Sequence, residues 1–330
     1  MTVSFPSFDA RHVDPRVRLA MRIFEFEQTK VPSLEDVAAR VGLSPFHLSR
    51  LFTAQVGESC LAYSRRIRLE NSNNQLMHDP MPLDVVAASF GYASQAAYTR
   101  AFTRHFQMPP LRFAAAVLGQ TQAEYAASQL GPARTGSCDT PRLMEQVRLR
   151  ERPNQPALAR RFYGHNDIMD HWRQFLGELP PRLLDGAQLA GLAYDSPRVT
   201  PNARWRYDCA VVLSDLSLAQ FGFDDVFGLD LVEVPGGLHA EVPVEGSILD
   251  LWRAAVCLLT QWLPQHPDYR TEGDPIVHWL HAMPTGPTFP ATATLRIHSR
   301  ESAPTLNLRP LTPYGRPAGY RTPPNAEGSI

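Results

Sequence analysis

One pattern is written twice in the first 110 residues: an apolar helical stripe, a glycine turn, and a second helix opened by serine. Leu34, Val37, Ala38 and Val41 form the first stripe, with Ser33 as its cap and Gly42 as its stop. Ser44-Pro45 opens the next helix, with Leu48, Leu51 and Phe52 inward. Leu83, Val86, Ala87 and Phe90 repeat the stripe, Gly91 stops it, and Ser94 opens a helix with Tyr98, Ala101 and Phe102 inward. The stripes lie 49 residues apart and the second helices 50 apart, so the second turn is one residue longer. Such an internal repeat commits this part of the chain to two helix-turn-helix units, at about 34–57 and 83–107. An earlier helix begins at Asp14-Pro15 and carries Val17, Ala20, Met21 and Phe24 on one face.

Beyond the repeat the period changes. Short alternating runs at 147–149, 157–164, 189–194, 205–213, 239–246 and 292–297 read as strands. Two helical stripes interrupt them, one holding Ile168, Trp172 and Phe175, the other Ile248, Trp252, Val256 and Leu259. Each follows a strand ending in glycine, and the two tryptophans are 80 residues apart. A duplicated strand–helix–strand–strand half follows, giving an α+β domain with two helices on one antiparallel sheet. The expected organisation is an all-α domain at 1–118, a linker at 119–141, the α+β domain at 142–301 and a proline-rich irregular tail at 302–330.

Charge divides along the same line. Residues 1–120 hold 13 basic against 10 acidic side chains, and residues 121–330 hold 19 against 23, so +3 faces −4. That permits nucleic-acid binding at the N-terminal end without the excess of a general DNA coater. No run of about 18 apolar residues suggests a membrane span. The start of the chain has no secretory pattern. The four cysteines, 48 to 78 residues apart, fit neither a zinc site nor a redox pair. The expectation is a cytoplasmic protein with no metal, no cofactor and no membrane partner.

In a helix-turn-helix the outer face of the second helix meets base edges in the major groove. Here that face carries Phe46, Ser49 and Arg50 in the first unit and Gln95, Ala96 and Arg100 in the second. Arginine suits guanine, glutamine suits adenine, and Phe or Ala suits a thymine methyl. A plain solvated face is the alternative, weakened by an arginine at the equivalent place of both units. Arg65, Arg66 and Arg68, between the units, are candidates for phosphate contact, with a solvated basic face as their alternative.

The stretches VAARVGLSPFHLSRLFTAQVGES and VVAASFGYASQAAYTRAFTRHFQMPP closely resemble the two helix-turn-helix units of the AraC/XylS transcription regulators, and the resemblance covers about residues 14–117. It implies a bipartite helical reader of double-stranded promoter DNA, with the six outward residues above reading bases, and an activator that meets RNA polymerase. The sequence departs from the family at Thr103, where Lys is usual, and at Gln107, where Gly is usual. Its connecting helix reads Arg68-Leu69-Glu70-Asn71-Ser72-Asn73-Asn74-Gln75-Leu76, with weak helix formers in the middle. The second unit is therefore expected to contribute less than the first.

Residues 190–213, VPGGLHAEVPVEG at 234–246 and the following WRAAVCLLTQWLP resemble the GyrI-like small-molecule-binding domain, over about 142–300. That resemblance implies an effector, often amphipathic and cationic, in a groove between the two halves. The aromatic candidates for it are Tyr163, Tyr194, Trp205, Tyr207 and Trp279, each equally readable as core, and Glu245 is a candidate charge. The family's late Pro-x-x-Glu-x-Tyr segment here reads Pro275-Ile276-Val277-His278-Trp279-Leu280. His278 thus replaces the pocket carboxylate, and near its ordinary pKa of about 6.5 it is expected to make charge preference depend on pH, unless it is a buried structural histidine. Two other functions stay open: a drug-sequestering module with a vestigial DNA-binding half, and a hydrolase, for which the pocket glutamate is missing.

Overall fold

The computed structural model describes residues 13–78, 81–118, 140–164, 168–196, 199–213, 229–271, 275–284, 286 and 288–301. The tail 302–330 lies outside them, and of the linker only 140 and 141 are described, where they open a short helix.

The N-terminal half is helical throughout. The first unit comprises α1 (Pro15–Phe26), α2 (Leu34–Arg40) and α3 (Pro45–Val56). Asp14 caps α1 through the Arg16 amide, Ser33 forms a reciprocal capping box with Asp36 on α2, and Ser44 caps α3. A long helix, α4 (Cys60–His78), leads to the second unit, made of α5 (Leu83–Ser89), α6 (Gln95–Phe106) and α7 (Pro110–Leu118). Each unit closes on its own core. Leu48, Phe52 and Phe24 centre the first, with Phe24 and Phe52 edge to face; Tyr98, Phe102 and Leu69 centre the second.

The weak formers in α4 do not interrupt it. Ser72 and Asn73 are fully buried, and Ser72 donates to the Leu69 carbonyl while accepting from the Tyr98 hydroxyl at 3.1 Å. These polar residues stand where α4 meets the second unit, so tertiary packing overrides their propensity.

After α8 (Thr140–Glu145) come β1 (Arg148–Arg152), β2 (Gln155–Tyr163), α9 (Ile168–Glu178), α10 (Pro181–Leu184), β3 (Leu189–Ala193) and β4 (Arg206–Val212). Then follow β5 (Asp230–Val234), β6 (Gly237–Gly246), α11 (Ile248–Cys257), β7 (Tyr269–Arg270), β8 (Ile276–Leu280), β9 (Phe289–Arg296) and β10 (His298–Ser299). Eight strands form one sheet in the order β1-β6-β9-β8-β3-β4-β2-β5, with every pairing antiparallel. The duplication is visible in that order. β6-β9-β8 and β2-β4-β3 are the same half run in opposite directions, meeting at the β8–β3 seam where His278 pairs with Gly191. Helices α9 and α11 bring Trp172, Phe175 and Leu251 onto one face of the sheet. No helix among the described residues is long and apolar enough to cross a membrane.

Candidate functional site

The helix-turn-helix geometry sets out the six reading candidates as the sequence arranged them. Phe46 is 77% exposed, Arg50, Gln95, Ala96 and Arg100 are exposed, and Ser49 is half-buried with its carbonyl taken by the Thr53 hydroxyl. Both turns are made by glycine in the left-handed region, Gly42 and Gly91 at φ +70°. At Gly91 there is a second demand: a Cβ would stand 2.8 Å from Val31 Cγ2 and 2.9 Å from the Gln28 carbonyl oxygen. There the second unit touches the α1–α2 connection of the first.

The phosphate assignment needs correction. Of the three arginines on α4 only Arg65 is exposed. Arg66 is buried, donating to Glu58 at 2.6 Å and to Glu70 at 3.1 Å, over the face of Tyr63. Arg68 is buried over Tyr92 and donates to the Phe90 carbonyl at 3.1 Å. Both guanidiniums are committed to intramolecular partners, so phosphate contact from this helix falls to Arg65. Period 3.6 along a helix packed on two units buries most of its faces, which a single stripe in the sequence does not reveal.

The ligand candidates do not share one pocket. Strand alternation puts Trp205, Tyr207 and His278 toward the two helices, and Tyr163, Tyr194 and Trp279 on the opposite face. Glu245 is exposed at the end of β6, on the face away from α11, and is a solvated strand end.

On the helix side the two halves meet in an aromatic cluster. Trp205 stacks on Tyr207 with centroids 5.7 Å apart, and Trp252 of α11 stands edge-on to both Trp205 and His278 at 5.4 and 5.8 Å. Trp172 of α9 donates its indole N–H to the Tyr207 hydroxyl at 3.3 Å. That hydroxyl lies on Gly191, where a Cβ would be only 1.8 Å away. His278 is 1% exposed, and neither ring nitrogen has a hydrogen-bond partner. An unsatisfied buried polar group costs about 1–3 kcal/mol. Burial also drives its pKa down to about 3, so the imidazole is neutral at physiological pH. The pH-dependent charge preference expected from an ordinary histidine is thereby corrected for this closed cluster. Trp252 and Trp172 were read in the sequence as core alone; their equivalent places in the two halves were the signal.

The opposite face is built for charge. Arg206 and Asp208 flank Tyr207 on β4 and point the other way, toward α1 of the helical domain. Arg22 donates to Asp208 at 2.6 Å, Arg18 to Asp230 at 2.9 Å, and Arg161 to both Glu25 oxygens at 3.0 and 2.9 Å. Tyr63 donates to Glu25, and Arg161 lies over Tyr194, whose hydroxyl donates to Asp208 at 2.9 Å. Burial pushes the Glu25 carboxyl up, but Arg161, Arg206 and Arg22 outweigh it and hold its pKa down at about 2. Its stabilising contribution is therefore whole above the ordinary value of 4.5 and is lost as pH falls through about 2. Tyr163 packs on the core of the first unit, so Tyr163 and Tyr194 belong to this seam between domains.

Comparison with known proteins agrees with both halves. Residues 37–116 match the family described as a helix-turn-helix domain, and residues 145–297 match the GyrI-like small molecule binding domain. The multiple antibiotic resistance protein MarA of Escherichia coli K12 is 33% identical over 81 residues, covering 24% of this chain and 64% of MarA. The transcriptional regulator Rob of Salmonella typhimurium is 37% identical over 78 residues, covering 24% of this chain and 27% of Rob. The right origin-binding protein of Escherichia coli K12 matches to the same extent. The chain thus spans less than two thirds of these relatives. It carries an AraC/XylS-type helix-turn-helix domain joined to a GyrI-like domain, and belongs among the proteins built from that pair.

Proposed function

We propose that this protein is a sequence-specific DNA-binding transcription regulator whose α3 and α6 read successive major grooves and whose C-terminal domain binds a small-molecule effector. The observation that carries it is the exposure of Arg50 and Arg100 at equivalent places on two capped helices, both left uncovered by the rest of the chain. An activator role, contact with RNA polymerase and a cytoplasmic location rest on the family resemblance alone. The separation of domains at 118–119, 141–142 and 301–302 is part of the same reading.

The effector is assigned to the aromatic cluster around His278. A neutral, unpartnered imidazole ringed by Trp205, Tyr207 and Trp252 favours a flat aromatic molecule with one hydrogen-bonding group over a permanent cation. Half-buried Trp252 is the side chain whose movement would admit it. Hydrolysis has less support, because the position that a resembling hydrolase would fill with glutamate is His278.

Two experiments test this. Arg50→Ala is expected to weaken a selected duplex by about 1–3 kcal/mol and relax one base position, whereas Arg65→Ala weakens selected and random duplexes alike. Equal losses for Arg50→Ala on both would remove its base-reading role. Calorimetry with matched neutral and cationic aromatic compounds at pH 5.5 and 8 is expected to show affinities that ignore pH, with cation binding gained in His278→Glu. Unchanged cation affinity in that variant would move the effector away from position 278.

A further inference from the structure

The C-terminal domain holds both helix-turn-helix units at once. On the first unit it grips α1 through the buried pairs of Arg22 with Asp208 and Glu25 with Arg161. On the second unit it lays Val199, from the β3–β4 connection, against the core that contains Leu69, Tyr98 and Phe102. Between the two grips runs α4, whose buried Glu70 lies in the field of Asp195, Arg206 and Arg204 as well as of Arg66. One stretch of chain supplies most of this. The Asp195 carbonyl accepts from Trp205 Nε1 at 2.5 Å, and its carboxylate takes both the backbone and the guanidinium of Arg206.

The docking leaves Phe46, Arg50, Gln95, Ala96 and Arg100 uncovered, so it does not block DNA. It does span the place where the helical domain is locally weakest, the Asn71-Ser72-Asn73-Asn74 run of α4 that joins the units. A seam of buried charges also resists sliding, because each displaced pair would leave an uncompensated charge in the interior.

We propose that the C-terminal domain is a clamp that fixes the separation and mutual angle of α3 and α6, and so the half-site spacing the protein accepts. The second consequence rests on α3 and α6 being the reading helices; the mechanical one does not.

The full-length chain with Cys138→Ser is spin-labelled at the exposed positions Ala54→Cys and Arg104→Cys, and the label-to-label distance is measured by pulsed dipolar spectroscopy. Cys60, Cys209 and Cys257 are buried and stay unlabelled. The parent is expected to give one narrow distribution. Arg18→Glu with Val199→Asp breaks the rim of the first grip, where Arg18 meets Asp230, and the second grip together, and should broaden it. Arg18→Glu with Asp230→Arg, keeping Val199, should restore the narrow form. Equal widths in all three would show that α4 alone sets the separation and would overturn the clamp. Should the double variant fail to fold, Val199→Asp alone, at a half-buried position, gives the same comparison with the charges intact. In a parallel arm the parent is expected to lose affinity when the half-sites of a selected duplex are moved by one base pair, and the broken-clamp variant to lose about fivefold of that preference. Absence of any specific duplex for the parent would overturn the DNA reading, and the distances would still decide the clamp.

Discussion

The two helix-turn-helix units share a backbone plan and differ in what secures it. The first is secured locally: a capping box at Ser33, a proline in the first turn of α3, and Gly57 in the left-handed cap at φ +79°. The second lacks each of these. Pro82 offers no side-chain cap, α6 begins with Gln95 rather than proline, and the equivalent left-handed cap is Gln107 at φ +57°, the only non-glycine residue with positive φ among those described. In their place stand long-range contacts: Arg68 on the Phe90 carbonyl, Ser72 on Tyr98, and Gly91 against the Gln28 carbonyl. The same local shape can therefore be specified by neighbouring residues in one unit and by distant ones in the other.

The turn glycines should break the equivalence most sharply. Gly42→Ala meets nothing within 4 Å and carries only left-handed strain, about 1 kcal/mol, whereas Gly91→Ala adds overlap with Val31 and Gln28 and should cost about 3 kcal/mol or more. Urea unfolding of the two variants checks the difference, and equal costs would mean the units do not press on each other there. On a selected duplex Arg50→Ala is expected to cost about 2 kcal/mol and Arg100→Ala about 1, since small Ala96 flanks the second arginine where Phe46 flanks the first. A titration at fixed salt that reverses the order would show the second unit to be the stronger reader.

Smaller effects sharpen the local side. Ser33→Ala removes the capping box and should lower stability by about 1 kcal/mol, while Pro82→Ala, at an end with no side-chain cap to lose, should change it far less in thermal unfolding. Gln107→Gly should raise stability by about 0.5–1 kcal/mol by relieving a left-handed side chain, and Gly57→Gln should lower it by a similar amount. No gain from Gln107→Gly in the same melts would mean that its side-chain bond to the Arg104 carbonyl, 2.8 Å long, offsets the strain.

Much of this architecture was present in the order of residues. Apolar spacing, caps and glycine stops name the helices of both units, and alternation names β1, β2, β3, β4, β6 and β9 near their observed bounds, because each signal lies within a few residues of chain. The edge strand β5 and the seam strand β8 were not legible as strands. β5 is short and β8 is buried on both faces, with His278 interrupting its apolar run, so neither alternates. The exposed reading face, with Arg50 and Arg100, follows from the inward positions of Leu48, Phe52, Tyr98 and Phe102 on the same helices.

What tertiary structure alone decided is the fate of the charged and aromatic side chains. Nothing near Arg66 or Arg68 in sequence marks them as buried; Glu58, Tyr92 and the Phe90 carbonyl, brought in by folding, do that. Tyr163 and Tyr194 part from Trp205, Tyr207 and His278 because strand pairing sets which face each occupies, and pairing is a relation between distant segments. The seam of Arg22, Glu25, Arg161 and Asp208 joins residues up to 186 positions apart. Local pattern fixes periodicity, whereas burial, charge pairing and the face a side chain meets depend on which surfaces the folded chain brings together.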